Sequence, residues 1–290
     1  MTIDRGDAIS VVLPTYNRAD ALRRNIHTVL AMEAVDEIIV VIDGSSDATE
    51  QVLQRLDEPQ LRVVRHNRNR GVAAARNTGA KAARGAWLLF AEDDCRFPPD
   101  YGVVLRDEAH RHRAALVGAP LLHLRGDDDR AQRLAASAPR VDRPSPEQVG
   151  VFPRRAIETP FVPARVLVRR SVFEELRFDE HFPGNSYREE TDFFVRAARA
   201  GHRCLFTPAT YCWQLDVWRG GTHELRGLRY EYWALRNNWR FLRRHGAWLS
   251  QHGYIASPTL AQARFAALRA GKLVRGTLNA RLARLRRASG

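Results

Sequence analysis

Gly85-Ala-Trp-Leu-Leu-Phe-Ala-Glu-Asp-Asp-Cys-Arg-Phe-Pro-Pro-Asp-Tyr101 is the stretch whose reading decides the fold. Trp87 to Phe90 is a short apolar run between Gly85 and a carboxylate cluster, the pattern of a strand buried on both faces. It leads into Glu92-Asp93-Asp94, and Pro98-Pro99 stop the strand and set up a helix start. Three carboxylates at the C-terminal mouth of a parallel strand repel one another. A hard divalent cation with oxygen ligands is one answer to that repulsion, and an acidic turn capping the next helix is the other.

The same pattern recurs upstream. Ala8 to Leu13 is an apolar run ending at Pro14, followed by the turn Thr15-Tyr16-Asn17-Arg18 and a helical spacing over Ala19 to Met32. Glu37 to Ile42 ends at Asp43-Gly44-Ser45-Ser46-Asp47, where Ser46 or Asp47 can cap a helix over Gln51 to Leu56. Leu61 to Arg65 is a third strand and Gly71 to Ala83 an Ala-rich helix. Strand-helix alternation at this spacing implies parallel pairing with right-handed crossovers in an open, doubly wound sheet. Ligands of such sheets sit beyond the C-terminal strand ends, where Asn17, Asp43 and Glu92-Asp93-Asp94 all fall.

Downstream, a helix is expected over Asp100 to Arg113 and one strand over Leu116 to Leu124. Gly126 to Gly150, with Asp127-Asp128-Asp129, several Arg and three Pro, reads as a long loop. Val162 to Val168 and Arg203 to Phe206 read as strands, Ser171 to Leu176 as a short helix. Glu189-Glu190-Thr191-Asp192 opens a helix closed by Gly201, and acids in a first turn also suit the helix dipole. From Glu224 the chain becomes helical, with Leu228, Tyr232, Leu235, Trp239 and Leu242 as an apolar seam.

The 290 residues carry a net charge of +13, unevenly spread. Glu224 to Gly290 holds thirteen Arg and one Lys against two Glu, so the preceding 223 residues are nearly neutral. A basic tail on a neutral body disfavours nucleic acid as partner and suggests an anionic surface or a protein contact. Cys95, Cys204 and Cys212 are odd in number and scattered, which argues against a disulfide framework or a structural zinc site. With no apolar signal core or span, the expected location is cytoplasmic; the tail reads either as a peripheral contact at the inner face of the membrane or as a plain solvated helix.

Six motifs, in order, resemble the family 2 inverting glycosyltransferases of GT-A fold. They are Ser10-Val-Val-Leu-Pro-Thr-Tyr-Asn-Arg18, Val41-Ile-Asp-Gly-Ser-Ser-Asp47, Asn69-Arg-Gly-Val-Ala-Ala-Ala-Arg-Asn-Thr-Gly79, Leu89-Phe-Ala-Glu-Asp-Asp94, Phe178-Asp-Glu180 and Arg188-Glu-Glu-Thr-Asp-Phe193. Tyr232-x-x-x-Arg-Asn237 extends the likeness to about residue 245. The resemblance implies an α/β fold: a GT-A (Rossmann-like) open mixed sheet flanked by helices, with a C-terminal helical extension. It divides the chain into a nucleotide-sugar half (1–118), an acceptor half (119–222) and basic amphipathic helices (223–290).

It also implies hexosyl transfer, with inversion, from a UDP-, dTDP- or GDP-sugar to an acceptor hydroxyl on a glycan, lipid-linked or small-molecule acceptor. Pro14, Thr15, Tyr16, Asn17, Asp43, Arg76, Glu92 and Asp93 are implied at the nucleotide sugar. Asp94 would hold Mg2+ or Mn2+, with Glu92 and, more remotely, His223 as further ligands. Glu190 is implied as catalytic base, with Glu189 and Asp192 as fallbacks. Five departures stand out: Glu92 and Glu190 stand where the family usually has Asp, Ile42 replaces a common acid, Gln214 stands where many relatives have His, and Val162-Pro-Ala-Arg165 departs from a small, polar pattern. A non-catalytic nucleotide-sugar binding protein would lack the acids at 94 and 190. A nucleotidyltransferase would want a Gly-rich basic loop after the first strand, and Pro14-Thr-Tyr-Asn17 is not one. A homodimer through the C-terminal helices is the alternative to a membrane contact.

Overall fold

The computed structural model describes residues 7–124, 129–142, 150–215 and 227–288. Strand β1 (Ile9–Thr15), helix α1 (Ala19–Leu30), β2 (Val35–Asp43), α2 (Thr49–Gln54), β3 (Leu61–His66), α3 (Val72–Ala82) and β4 (Trp87–Phe90) alternate as expected. Next come β5 (Cys95–Arg96), α4 (Tyr101–His112), β6 (Leu116–Gly118), β7 (Leu121–Leu124), α5 (Asp129–Ser137), β8 (Arg140–Val141), β9 (Phe152–Pro153) and β10 (Ile157–Glu158). Then follow β11 (Val166–Arg169), α6 (Arg170–Glu175), α7 (Glu189–Arg199), β12 (Cys204–Phe206), β13 (Cys212–Leu215), α8 (Gly227–Gln251) and α9 (Pro258–Ala288).

The main sheet has eight strands in the order β10-β12-β6-β11-β4-β1-β2-β3. β1 pairs in parallel with both β2 and β4, and β2 in parallel with β3. β11 runs antiparallel between β4 and β6, so the sheet is mixed. Helices cover both faces, and β1 and β4 are buried nearly throughout, which is why Val11-Val-Leu13 and Trp87-Leu-Leu-Phe90 are unbroken apolar runs. The chain forms two compact units, 1–181 with 189–223, and 182–188 with 224–290. The first holds the sheet.

Two expectations about the middle of the chain are corrected. Leu116 to Leu124 is not one strand: Ala119-Pro120 interrupts it. Pro120 has no N–H to give to a ladder, and the chain passes there from the main sheet into a small sheet ordered β5-β13-β7. The segment from Gly126 to Gly150 is not wholly loop, since its described part contains α5 and β8. Ala131 and Ala135, one helical turn apart, are the buried face of α5.

In the second unit the expected seam of α8 is also corrected. Leu228, Tyr232 and Trp239 are 78%, 57% and 51% exposed. The buried face is Ala234, Asn237, Asn238, Phe241, Leu242, His245, Gly246 and Leu249. Hydrophobic period alone misplaces the face because two amides lie at its centre. Asn237 Nδ2 donates to the Pro183 carbonyl (2.9 Å), and Asn238 joins Arg188 Nε (2.9 Å) to Gln262 (2.8 Å). The Arg188 guanidinium lies over the Phe241 and Phe265 rings.

Glu37 is the main polar tie inside the first unit. It accepts hydrogen bonds from Ser10 Oγ (2.7 Å), Arg84 N (2.5 Å) and Arg62 Nη1 (2.8 Å). Gly85 donates to the same Ser10 hydroxyl (2.8 Å), and a Cβ there would run into the Ala8 carbonyl. Burial opposes the Glu37 charge, but the hydrogen bonds from Ser10, Arg84 and Arg62 outweigh it and hold the carboxyl below its ordinary 4.5. Its stabilisation is therefore fully present above pH 4.5 and is lost as pH falls through the lowered value. Glu37→Gln is expected to lower the melting temperature by about 3 °C at pH 7 and to converge on the wild type at pH 3. Thermal melts across pH 3–7 check both arms.

Candidate active site

After β3 the chain crosses through α3 to β4 on the far side of β1, so the strand order reverses between β1 and β4. The C-terminal ends of these two strands meet at that point. Thr15 Oγ1, the last residue of β1, donates to Asp93 Oδ2 (2.8 Å). Arg18 Nη1 then donates to Asp93 Oδ1 (2.8 Å) and Asp94 Oδ2 (2.9 Å). Asn25 of α1 holds the Asp93 carbonyl from below (3.0 Å). Burial pushes the Asp93 carboxyl up to about 6 although Arg18 pulls against it. Burial works on Asp94 too, but Arg18, Arg165 and a hydrogen bond from Gln214 hold it below its ordinary value.

Arg76, on buried α3, reaches a second group of acids. Its Nη2 donates to Glu92 Oε1 (2.9 Å), its Nη1 donates to Glu189 Oε2 (2.5 Å) and lies 3.9 Å from Glu190 Oε2. Burial opposes the Arg76 charge, but Glu189, Glu92 and Glu190 outweigh it and raise its pKa. Glu189 is fully buried, and burial pushes its carboxyl up to about 8 against the pull of Arg76. Glu190, by contrast, keeps 37% of its side chain exposed. Asp192 is fully buried and accepts from Arg196 along its own helix (2.7 Å).

Arg165 supplies the third guanidinium. Its Nη2 donates to Glu92 Oε2 and lies 4.0 Å from Asp94 Oδ1, and its Nε donates to Cys95 Sγ (3.2 Å). Gln214 Nε2 donates to Asp94 Oδ2 (2.9 Å), so the residue standing in the position of a His does reach the cluster.

The ligand atoms of Glu92, Asp94 and Cys95 lie within 4.8 Å of one another. Burial raises the Cys95 thiol well above its ordinary value, which leaves the two carboxylates as the oxygen donors for a hard cation. With every group ionised, five carboxylates meet three guanidiniums and two negative charges stay uncompensated. Glu189 Oε1 is buried with no hydrogen-bond partner among the described residues. Protons or one divalent cation can take up the two charges, so these residues fit such an ion.

The remaining motif residues build the frame. Asp43 accepts from Arg70 N (2.9 Å) and Gly71 N (2.8 Å) and contacts His66 Nδ1 (2.7 Å), fixing the loop before α3. Gly44, at φ +70, lies so close to the Arg68–Asn69 backbone that any Cβ would clash. Asn17, at φ +51, accepts from Ser46 N (2.8 Å). The N-cap position of α2 is Ala48, not Ser46 or Asp47; Asp47 lies one residue earlier and accepts from Thr49 N (3.1 Å) and from Ala19 N at the start of α1 (2.9 Å). Asn77 Nδ2 donates to the Phe178 carbonyl (3.0 Å) and Glu180 (2.9 Å), so two of the motifs hold each other. Pro14, next to last in β1, lies opposite Val41, and Tyr16 is half-buried in the turn beyond. His223 lies outside the described residues.

The family model described as "Glycosyl transferase family 2" matches residues 10–177, more than half of the chain and every element of the switch point. The chain belongs to glycosyl transferase family 2. This family 2 chain is 30% identical over 217 residues to the succinoglycan biosynthesis protein ExoO of Rhizobium meliloti, covering 71% of the chain and 60% of that protein. It is 30% identical over 201 residues to the uncharacterized glycosyltransferase EpsJ of Bacillus subtilis, covering 67% of the chain and 57% of that protein. It thus spans about three fifths of these relatives' length. The fold matches S. aureus TarS 1–349 in complex with UDP-GlcNAc, with a TM-score of 0.58 at 16% identity over 85% of this chain and 75% of that one. The GT-A fold implied by the motifs is therefore the fold observed.

Sequence reasoning assigned no role to two cluster residues, Arg18 and Arg165. Arg18 closes the first motif, next to the turn residues, and that position is the available signal; Arg165 shows in the sequence only as a departure from the family pattern. Buried charge separates Arg18 from neighbouring arginines: Arg23 pairs with Asp20 in full solvent contact. Arg18→Gln is expected to cost about 3 kcal/mol because it removes the guanidinium that bridges two buried carboxylates. Arg23→Gln should stay within about 0.5 kcal/mol of wild type. Urea unfolding of both variants at low ionic strength measures the contrast.

Proposed function

We propose that the protein is an inverting glycosyltransferase that moves a sugar from a nucleotide diphosphate sugar to an acceptor hydroxyl. The observation that carries this reading is the shared guanidinium of Arg76, which lies 2.9 Å from Glu92 of the acidic run and 3.9 Å from Glu190, the acid with an exposed edge. The nucleotide is assigned to the C-terminal ends of β1 and β2, where Pro14, Thr15, Tyr16, Asn17 and Asp43 lie, with Arg76, Glu92 and Asp93 nearer the sugar diphosphate. A UDP-sugar is the first choice of donor, since TarS has this fold and was solved with UDP-GlcNAc.

Glu190 takes the proton of the acceptor hydroxyl as the acceptor oxygen bonds to the anomeric carbon. The bond from that carbon to the diphosphate oxygen breaks on the opposite face, and the electron pair leaves with the nucleoside diphosphate. Glu189 and Asp192 are poorer candidates because each is fully buried against an arginine. Mg2+ or Mn2+ held by Glu92 and Asp94 would supply Lewis-acid neutralisation of the leaving diphosphate. Arg18 and Arg76 keep the acids in place while the guanidinium charge limits their repulsion.

A lipid-linked glycan is the proposed acceptor class. One relative, 26% identical over 202 residues, is the Campylobacter jejuni GalNAc(5)-diNAcBac-PP-undecaprenol beta-1,3-glucosyltransferase. Among the described residues no helix is long and apolar enough to cross a membrane. The exposed Leu228, Tyr232 and Trp239 share α8 with Arg236 and Arg243, whose guanidiniums lie over Trp233 and Trp239. Exposed aromatics flanked by arginine suit the headgroup layer of an anionic bilayer.

Glu190→Gln is expected to keep UDP affinity within about twofold while losing about 10²- to 10⁴-fold in transfer rate. Calorimetry with UDP and a radiolabelled UDP-sugar transfer assay read the two quantities, and an active variant would remove Glu190 as base. The double variant Tyr232→Ser, Trp239→Ser should lose co-sedimentation with phosphatidylglycerol vesicles and keep its melting temperature. Unchanged sedimentation, or a wild type that runs as a dimer where the variant runs as a monomer, would replace the membrane contact by a protein one.

A further inference from the structure

The three guanidiniums of the cluster are not equivalent. Arg18 joins Asp93 to Asp94, and Arg76 joins Glu92 to Glu189. Arg165 alone lies against both Glu92 and Asp94, the two carboxylates that offer oxygen to a hard cation. The oxygens it faces, Glu92 Oε2 and Asp94 Oδ1, are the ones that neither Arg18 nor Arg76 engages. A divalent ion bridging Glu92 and Asp94 would have to use the ground that the guanidinium holds. Two cations cannot share those oxygens without repulsion.

The backbone explains how Arg165 gets there. β11 pairs antiparallel with β4, Leu167 opposite Leu89. Continuing that register sets residue 165 beside residue 91, at the start of the acidic run. Tyr101 Oη donates to the Arg165 carbonyl (2.8 Å), so the main chain is fixed while the long stem remains the adjustable part. Glu92 is the most exposed acid of the Glu92-Asp93-Asp94 run, at 23% against 4% and 2%, while Arg165 itself is buried, so the pair opens to solvent on the Glu92 side.

We propose that Arg165 is a built-in counter-cation that keeps the Glu92–Asp94 pair closed to divalent ions until a nucleotide diphosphate enters, so that the metal arrives with the donor and not before it. Displaced from Glu92, the guanidinium finds phosphate oxygens, which it binds through parallel N–H donors. Arg165 is a positioning residue in this scheme, and the inference rests on the diphosphate-and-metal reading above.

Mn2+ binding to the full chain, measured by calorimetry with and without UDP, tests it apart from turnover. Arg165→Gln, uncharged, is expected to bind Mn2+ about tenfold more tightly than wild type without UDP. Arg165→Lys, which keeps the charge, should stay within about threefold of wild type. Equal affinity of the wild type and the glutamine variant without UDP overturns the inference, and so does a lysine variant as tight as the glutamine one. If Arg165→Gln shows no cooperative melt in metal-free buffer, added Mn2+ should restore one, and failure to do so overturns it equally. A wild type that binds no Mn2+ even with UDP overturns the metal reading as a whole, whereas binding with UDP but no difference among variants removes only the role of Arg165.

Discussion

Arg18 Nη1 lies 2.8 Å from Asp93 and 2.9 Å from Asp94, and none of the three side chains is more than 10% exposed. Taking such groups out of water costs several kcal/mol per ion, and only close, hydrogen-bonded pairing offsets the cost. The C-terminal edge of the sheet is built around that constraint. Arg18 arrives from the turn after β1, Arg76 from α3 and Arg165 from the approach to β11, each to meet acids at the end of β4 or the start of α7. The cluster therefore joins five parts of the first unit through charge, where the apolar core beneath joins them through packing. It also explains why Asp94 is held below its ordinary pKa while burial lifts Asp93.

The motif residues divide into those that touch this cluster and those that support it. Asn77 spends its amide on the backbone of Phe178 and the carboxylate of Glu180, and Asp47 accepts from the first N–H of both α1 and α2. Asp43 orders the Arg70–Gly71 turn that starts α3, and α3 carries Arg76. A short polar motif can thus be legible in sequence because a loop needs it, with the reacting groups one step away. Glu189 and Glu190 show the same division inside one motif: adjacent in sequence, they differ from fully buried to more than a third exposed.

The elements that sequence pattern predicted well are the ones with a single dominant cause. β4 is buried on both faces and begins and ends as its apolar run does, and α3 follows from its run of alanines. The failures have competing causes. Pro120 splits an otherwise continuous apolar run because a missing N–H outweighs hydrophobic pattern. α8 turns its amides inward and leaves Tyr232 and Trp239 outside, because Asn237 and Asn238 have backbone and side-chain partners on residues 183–188 and 262.

Sequence alone determined the strand-helix alternation, the placement of an acidic run at a strand end and the family likeness, all of which rest on neighbours within a few residues or on ordered motifs. It could not determine which guanidinium meets which carboxylate. Arg165 lies 73 residues from Glu92, and they touch because β11 enters the sheet antiparallel to β4. Strand direction and adjacency are settled by packing across the whole sheet, so the charge partners of the acidic run were decided by the tertiary structure.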